Sequence, residues 1–255
     1  MAEFRAAPAD DVAQRRALTR RIAITAAMGI YFWTGAQGIG LLSRHMRAHT
    51  LDTPLDAAIP FISWSVIVYS WAYTLVLFPL FVVRCDRLFR RAALAFFVAL
   101  TASFLIFLVF PVTSTGLRAD PNTLDISTFH GWAMRLTYAV DPPFNLFPSM
   151  HFSLALLTAA VVWKASPRLS WFVWPIALAI GVTICTTKQH FVADGIGAAI
   201  LAFIVYRVVI APYERESVPL TERSYGGRGA AAYFAFHTLF YACFFAAFAA
   251  GVHLW

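Results

Sequence analysis

Two short runs hold the residues able to do chemistry. Phe147-Pro148-Ser149-Met150-His151 opens one apolar stretch, and Lys188-Gln189-His190-Phe191-Val192-Ala193-Asp194-Gly195 opens another. His190 and Asp194 are four apart, so on a helix they share one face, a turn apart. A carboxylate within reach of an imidazole N–H fixes its tautomer and leaves the other nitrogen as a nucleophile or base. His151 arrives from a different stretch. Two histidines can divide the labour, one attacking while the other protonates the leaving group. Ser149 and the first N–H groups of the helix it precedes favour an anion. Lys188 and Arg118 add positive charge. The set suits an oxyanion, most simply a phosphate. A lone histidine at a membrane edge is more often a structural hydrogen-bonder. Two histidines, an aspartate and a lysine at one depth are costly to keep there without a function.

The elements that must position these runs follow from composition. Of 255 residues, 60% are apolar and 13% charged, and 24 are Phe; a soluble domain is nearer ~25% charged. That much apolar surface needs the bilayer as its solvent. The net charge of +7 raises the question of nucleic acid. The Lys and Arg residues fall in short clusters between apolar runs, where they set membrane orientation, and no nucleic-acid partner is expected. Cys85, Cys185 and Cys243 are isolated, with neither a disulfide nor metal-type spacing expected. The run 22–42 follows Arg15, Arg16, Arg20 and Arg21, and reads as a retained first span rather than a cleaved signal.

An all-α polytopic membrane bundle is the expected fold, since backbone polar groups in lipid must be satisfied within the segment. Seven spans are predicted near 22–42, 60–83, 92–112, 149–165, 170–187, 189–211 and 231–253. The organisation is then a basic cytoplasmic segment 1–21, a six-span catalytic core 22–211, a cytoplasmic loop 212–230 and an additional C-terminal span within 231–255. Gly29, Gly35, Gly38 and Gly40 in the first span point to close helix packing. The loop 113–147 is long for a compact bundle. Within 126–139 and at its edge, Ile126, Phe129, Ala133, Leu136 and Val140 have helical spacing, which fits an interfacial helix; a plain tether is the alternative.

With the N-terminus in the cytoplasm, only Arg44, Arg47, Arg118, Arg135 and Lys188 of the 20 basic residues fall on the other side. The two motifs then meet at one depth on the outer, periplasmic or extracytoplasmic, face. That convergence comes from counting spans.

Phe-Pro-Ser-Met-His at 147–151 and His-x-x-x-Asp at 190–194, each opening a span, resemble the type 2 phosphatidic acid phosphatase superfamily. Phe110-Pro111-Val112-Thr113 before the long loop resembles its inositol phosphorylceramide synthase and sphingomyelin synthase-like branch. The resemblance covers about 100–195 by motif. It implies a lipid phosphatase or head-group phosphotransferase acting on a phospholipid or lipid phosphate. His190 would attack phosphorus to form a phosphohistidine, Asp194 would orient it, and His151 would protonate the departing oxygen. Ser149 would help to bind the phosphate, and no metal or cofactor is implied. The chain departs from the phosphatase pattern in two places. Arg84 and Arg91 have the spacing of the first motif, but Ala92 follows where proline belongs, and they fall on the cytoplasmic side. Ile184 stands where the third motif has arginine. Lys188, Arg118 and Arg135 remain as candidate clamps, or as ordinary interfacial cations.

Two other classes stay open at this point. His151, His190 and Asp194 could ligate zinc in a metal-dependent membrane hydrolase. A transporter could use the same cluster as a relay, although no inverted repeat is visible.

Overall fold

The computed structural model describes residues 8–253 and 255, with side chains from residue 15 onward. The expected basic segment 1–21 is described only in part, because residues 1–7, including Arg5, lie outside the described residues. The helices are α1 (Pro8–Ser43), α2 (Pro54–Ala58), α3 (Val66–Tyr69), α4 (Trp71–Leu75), α5 (Phe78–Val82), α6 (Asp86–Val109), α7 (Phe129–Val140), α8 (Met150–Ala165), α9 (Pro167–Thr186), α10 (Val192–Val205), α11 (Leu220–Arg223) and α12 (Gly226–Ala249). The fold is all-α. Among the described residues the only β-type pairing is two isolated bridges, His49–Val112 and Val83–Ser224.

Five stretches are long and apolar enough to cross a bilayer: Arg15–Ser43, Asp86–Val109, Pro167–Thr186, Val192–Ser217 and Gly226–Ala249. Two predicted spans differ from a single membrane-length helix. The first is α8, which has only 16 residues. It is buried on nearly every face, as a helix that is apolar all round must be, and it forms the centre of the bundle.

The second is the predicted span 60–83, which breaks into a 3-10 turn at Ser63–Ser65 and then α3, α4 and α5. Its joints stay right-handed, with ψ of −13° at Ser65, −12° at Ser70 and −20° at Val76. Such flat ψ values belong to 3-10 winding. The cause is in the side chains. Ser65, Ser70 and Thr74 each turn a hydroxyl onto the carbonyl three residues back, which competes with the helical ladder. Pro79 contributes no N–H.

Cross-chain contacts give the direction of each crossing. Arg21 meets Asp86, Tyr31 meets Thr101, and a Cβ on Gly35 would lie 2.3 Å from the Phe104 ring, so α1 and α6 run parallel in close contact. Ile62 N–H donates to Thr186 O, and Tyr225 N–H to Val82 O. The run α3–α5 therefore descends between them and α12 rises beside it. Lys164 donates to the carbonyls of Ala211 and Tyr213, closing the far ends of α8 and α10. Among the described residues, consecutive long segments of the chain alternate in direction along the bundle. One end of the bundle collects Arg20, Arg21, Arg84, Arg91, Lys164 and Arg223, much of it capping backbone carbonyls. The opposite end carries both motifs.

The expected helix in the long loop is present as α7, capped by Thr128, whose hydroxyl accepts from Gly131 N–H. It packs on the 63–69 turn and on α12, and Trp132 Nε1 donates to Val252 O at 2.9 Å.

Candidate active site

Ser149 is the N-cap of α8, and Asp194 is the third residue of α10. One backbone bond registers the two helix starts: Ser149 N–H donates to Asp194 O at 3.1 Å. Gly197, one turn along α10, leaves room for the Phe147 ring, which a Cβ would approach to 2.6 Å. The two motifs are thus locked together at one end of the bundle.

His190 Nδ1–H donates to Asp194 Oδ2 at 3.2 Å, since a carboxylate can only accept. Phe191 N–H donates to the same oxygen at 2.9 Å. The Asp194 carboxylate is fully buried; both bonds fall on Oδ2, and Oδ1 has no partner among the described residues. His190 Nε2 then carries the lone pair, and Ser149 Oγ lies 3.3 Å from it.

His151 is held by a network that the sequence did not reveal. Tyr69 donates its one hydroxyl proton to Asp141 Oδ2 at 2.9 Å, and its oxygen lies 3.2 Å from His151 Nδ1. With that proton spent, the phenol can only accept from His151 Nδ1–H. Tyr73 OH donates to Asp141 Oδ2 at 2.6 Å, and Gln189 Nε2 lies 3.4 Å from that oxygen. His151 Nε2 has no partner among the described residues. Each histidine therefore has its Nδ1 tied from behind, with Nε2 on the far side of the ring. The two ring centroids are 6.3 Å apart.

Both rings line a polar cavity of ≈40 Å³, together with Arg118, Asp141, Asn145 and Gln189. Besides His151 Nε2, the buried Asn145 Oδ1 and Gln189 Oε1 lack partners among the described residues. Buried polar atoms are nearly always bonded, so this concentration marks a place made for a polar ligand. Asn145 adopts φ = 69° and donates to Ala36 O at 2.7 Å, which closes the α1 side.

The candidate cations are placed differently from one another. Arg118 reaches the cavity wall, with NH1 and NH2 donating to the carbonyls of Tyr138, Asp141 and Pro142. Burial draws its pKa below the ordinary arginine value, with Asp141 opposing the shift. Its guanidinium also lies 4.9 Å over the Tyr138 ring. Burial pushes the Tyr138 phenol up to about 12, and its hydroxyl donates to Thr187 O at 2.8 Å. Arg135 lies over Trp255, at 5.1 Å, and is not among the cavity residues.

Lys188 also points elsewhere. At φ = 55° it donates to Asp56 O at 2.7 Å and Ile59 O at 2.5 Å. Asp56 in turn accepts Val192 N–H at 2.7 Å, capping α10 from outside, while its other oxygen accepts Thr53 N–H. Lys188 is thus a bracket that fixes the start of α10. Asp56→Ala is expected to lower the unfolding free energy by about 1–2 kcal/mol, the usual worth of such a cap. Lys188→Met should likewise reduce thermal stability while KM stays within about twofold, because a bond to two carbonyls binds no substrate. Thermal unfolding in detergent and steady-state kinetics check both; a tenfold rise in KM for Lys188→Met would return it to the phosphate site.

Sequence reasoning missed Tyr69, Tyr73, Asp141, Gln189, Asn145 and Asp56. One signal was legible: Asp141 is an acid followed by Pro142-Pro143, just after an amphipathic helix and before the first motif. The tyrosines carried none, being ordinary members of an apolar run. Among the described residues, no group of three or more His, Cys, Asp or Glu side chains is placed to hold a metal ion.

Neither the curated proteins nor the solved structures returned a match to the chain. A family model does match: residues 44–208, which contain both motifs and the Asp141 network but none of α1 or α12, fit the PAP2 superfamily, and the chain belongs to that superfamily.

Proposed function

We propose that this protein transfers or hydrolyses the phosphoryl-bearing group of a membrane lipid through a phosphohistidine at His190. The observation that carries the reading is the pair of imidazoles across one cavity. Each has a backed Nδ1, and their centroids stand 6.3 Å apart, which suits a phosphorus centre between them.

In the first step, His190 Nε2 attacks phosphorus. The N–P bond forms as the P–O bond to the lipid alcohol breaks, and the departing oxygen takes the Nε2 proton of the His151 imidazolium. Asp194 holds His190 in the attacking tautomer and balances the charge that develops on it. Asp141, acting through Tyr69, stabilises the His151 cation. In the second step, water or an alcohol gives its proton to His151 Nε2 while its oxygen displaces His190 from phosphorus. Ser149, the first N–H groups of α8 and Arg118 are the proposed contacts to the phosphoryl oxygens. Lys188 contributes charge only at a distance. The broken first motif, with Ala92 in the place of proline, and the missing arginine at Ile184 favour the head-group-transfer branch over simple phosphatases. The site-bearing end, opposite the basic belt, is proposed to face away from the cytoplasm.

The decisive experiment incubates purified protein with a panel of phospholipids and lipid phosphates, with and without a lipid alcohol, and follows free phosphate and new lipids together. Turnover of at least one lipid is expected, inhibited by vanadate and indifferent to chelators. Activity that disappears on chelation would instead support the metal-dependent alternative. Ion flux in vesicles without any phosphorus chemistry would support the relay.

A further inference from the structure

The proposed mechanism gives work to His151 Nε2 but none to the two amide oxygens that line the same cavity, Asn145 Oδ1 and Gln189 Oε1. Asn145 is 7% exposed and Gln189 2%. Each has its NH2 group engaged elsewhere. Asn145 Nδ2 donates to Ala36 O at 2.7 Å, and Gln189 Nε2 lies 3.4 Å from Asp141 Oδ2. Neither amide can turn over, because its oxygen would then meet the Ala36 carbonyl or the Asp141 carboxylate, which are acceptors only. The group that each residue has left to offer is therefore an acceptor.

An acceptor is the wrong partner for the oxygens of a phosphoryl group, which accept as well. The same walls hold a donor for those: Arg118, whose buried Nε has no partner among the described residues. The two carbonyls call for an O–H instead. At ≈40 Å³ the cavity has room for about three water-sized groups.

Resting on the phosphoester reading of the site, we infer that Gln189 and Asn145 select the nucleophile that resolves the phosphohistidine, and that they select water over an alcohol with a single hydroxyl. In that step one O–H of the entering water gives its proton to His151 Nε2 while its oxygen bonds to phosphorus. The P–N bond breaks, and its electron pair returns to His190 Nε2. The second O–H stays on the oxygen and donates to Gln189 Oε1 or Asn145 Oδ1, both before attack and in the P–OH product. An alcohol has only one O–H. Once that is spent on His151, both carbonyls are left without a donor. A site built to hold an O–H rejects the analogue lacking it, because its own buried groups go unpaired. The departures at Ala92 and Ile184 bear on how phosphate is gripped, and these two carbonyls on what attacks it.

The test takes the lipid panel described above, purified protein in detergent and a fixed concentration of methanol. It reads the methyl ester of the transferred group against its free acid. Both products arise from one phosphohistidine, so their ratio is blind to how fast that intermediate forms and to the fraction of protein folded. Methanol is small enough that steric exclusion does not enter. In the unmodified protein the ratio of methyl ester to acid should lie about tenfold or more below that of a free phosphoramidate in the same mixture. Gln189→Met and Asn145→Gly should each raise it by about tenfold; glycine keeps the backbone at φ = 69°. An unmodified protein that partitions like the free phosphoramidate overturns the inference, as does a ratio unmoved in both variants, and either result leaves the phosphoester reading standing. Loss of both products in both variants also overturns it, by assigning the two residues to the first step. Absence of phosphorus chemistry on every lipid overturns the phosphoester reading, and this inference with it.

Discussion

Replacing His190 with alanine is expected to lower turnover by about five orders of magnitude, the loss seen when a covalent nucleophile is removed from a preorganised site. By transition-state arithmetic that is about 7 kcal/mol. The same substitution also disturbs the fold, because Asp194 keeps only Phe191 N–H as a donor to its carboxylate. Leaving a buried group short of a partner costs about 1–3 kcal/mol. The two effects are far enough apart to separate: a protein that still unfolds cooperatively but has lost all turnover has lost chemistry. His190→Gln narrows the gap further by keeping an N–H donor near Asp194. The covalent step has its own signature. Substrate labelled at phosphorus should leave label on the unmodified protein, stable to base and lost in acid as a phosphoramidate is, and leave none on either variant. Label that persists on His190→Ala would move the nucleophile to another residue.

How much of this was legible in the sequence depends on how each residue acts. The four-residue spacing of His190 and Asp194 suggested a pair, and they are bonded, although His190 precedes Phe191, the N-cap of α10, and so reaches Asp194 from outside the helix. His151 and Ser149 needed only the direction of each crossing, which alternates as apolar runs require. Helix α7 showed its period in Phe129, Ala133, Leu136 and Val140. The Asp141 network was not legible, because it joins residues 68 to 82 positions apart through a loop. No local pattern encodes such a meeting. Lys188 misled for a related reason. Its charge and its place beside His190 suggested a phosphate clamp, but its positive φ turns the side chain toward α2. The broken run α3–α5 was legible in part: Ser65, Ser70 and Thr74 are visible as residues that compete with the ladder, yet hydropathy over 60–83 is that of a plain span.

His151→Ala should produce a loss that depends on the leaving group, and this dependence is the sharper test of its role. With an alkyl phosphoester, the departing alkoxide needs a proton, and removing a general acid costs about 10²–10⁴ in rate. A nitrophenyl ester of the same phosphoryl group leaves without one, so its first step should stay within about tenfold of the unmodified protein. The second step still needs a base to take the proton from water, a role the proposed mechanism also gives to His151. The variant should therefore release nitrophenol in a burst close to one equivalent and then turn over slowly, with phosphorus held on His190. Asp141→Asn and Tyr69→Phe test the support behind this imidazole. Among the described residues Tyr69 is the only side chain bonded to His151, and Asp141 fixes which way its proton points. Asp141, Arg118, Tyr73 and His190 are the other ionisable groups that face His151 across the cavity and its walls. If Asp141 steadies the imidazolium, its loss should move the basic limb of the kcat profile to lower pH. It should also slow alkyl esters by about tenfold to a hundredfold while sparing the aryl ester, the same pattern as His151→Ala at smaller scale. A residue that merely walled the cavity would slow both esters alike and leave the profile in place. A first step slowed equally for aryl and alkyl esters in His151→Ala, with no nitrophenol burst, would remove the acid from this histidine and leave it a phosphate ligand.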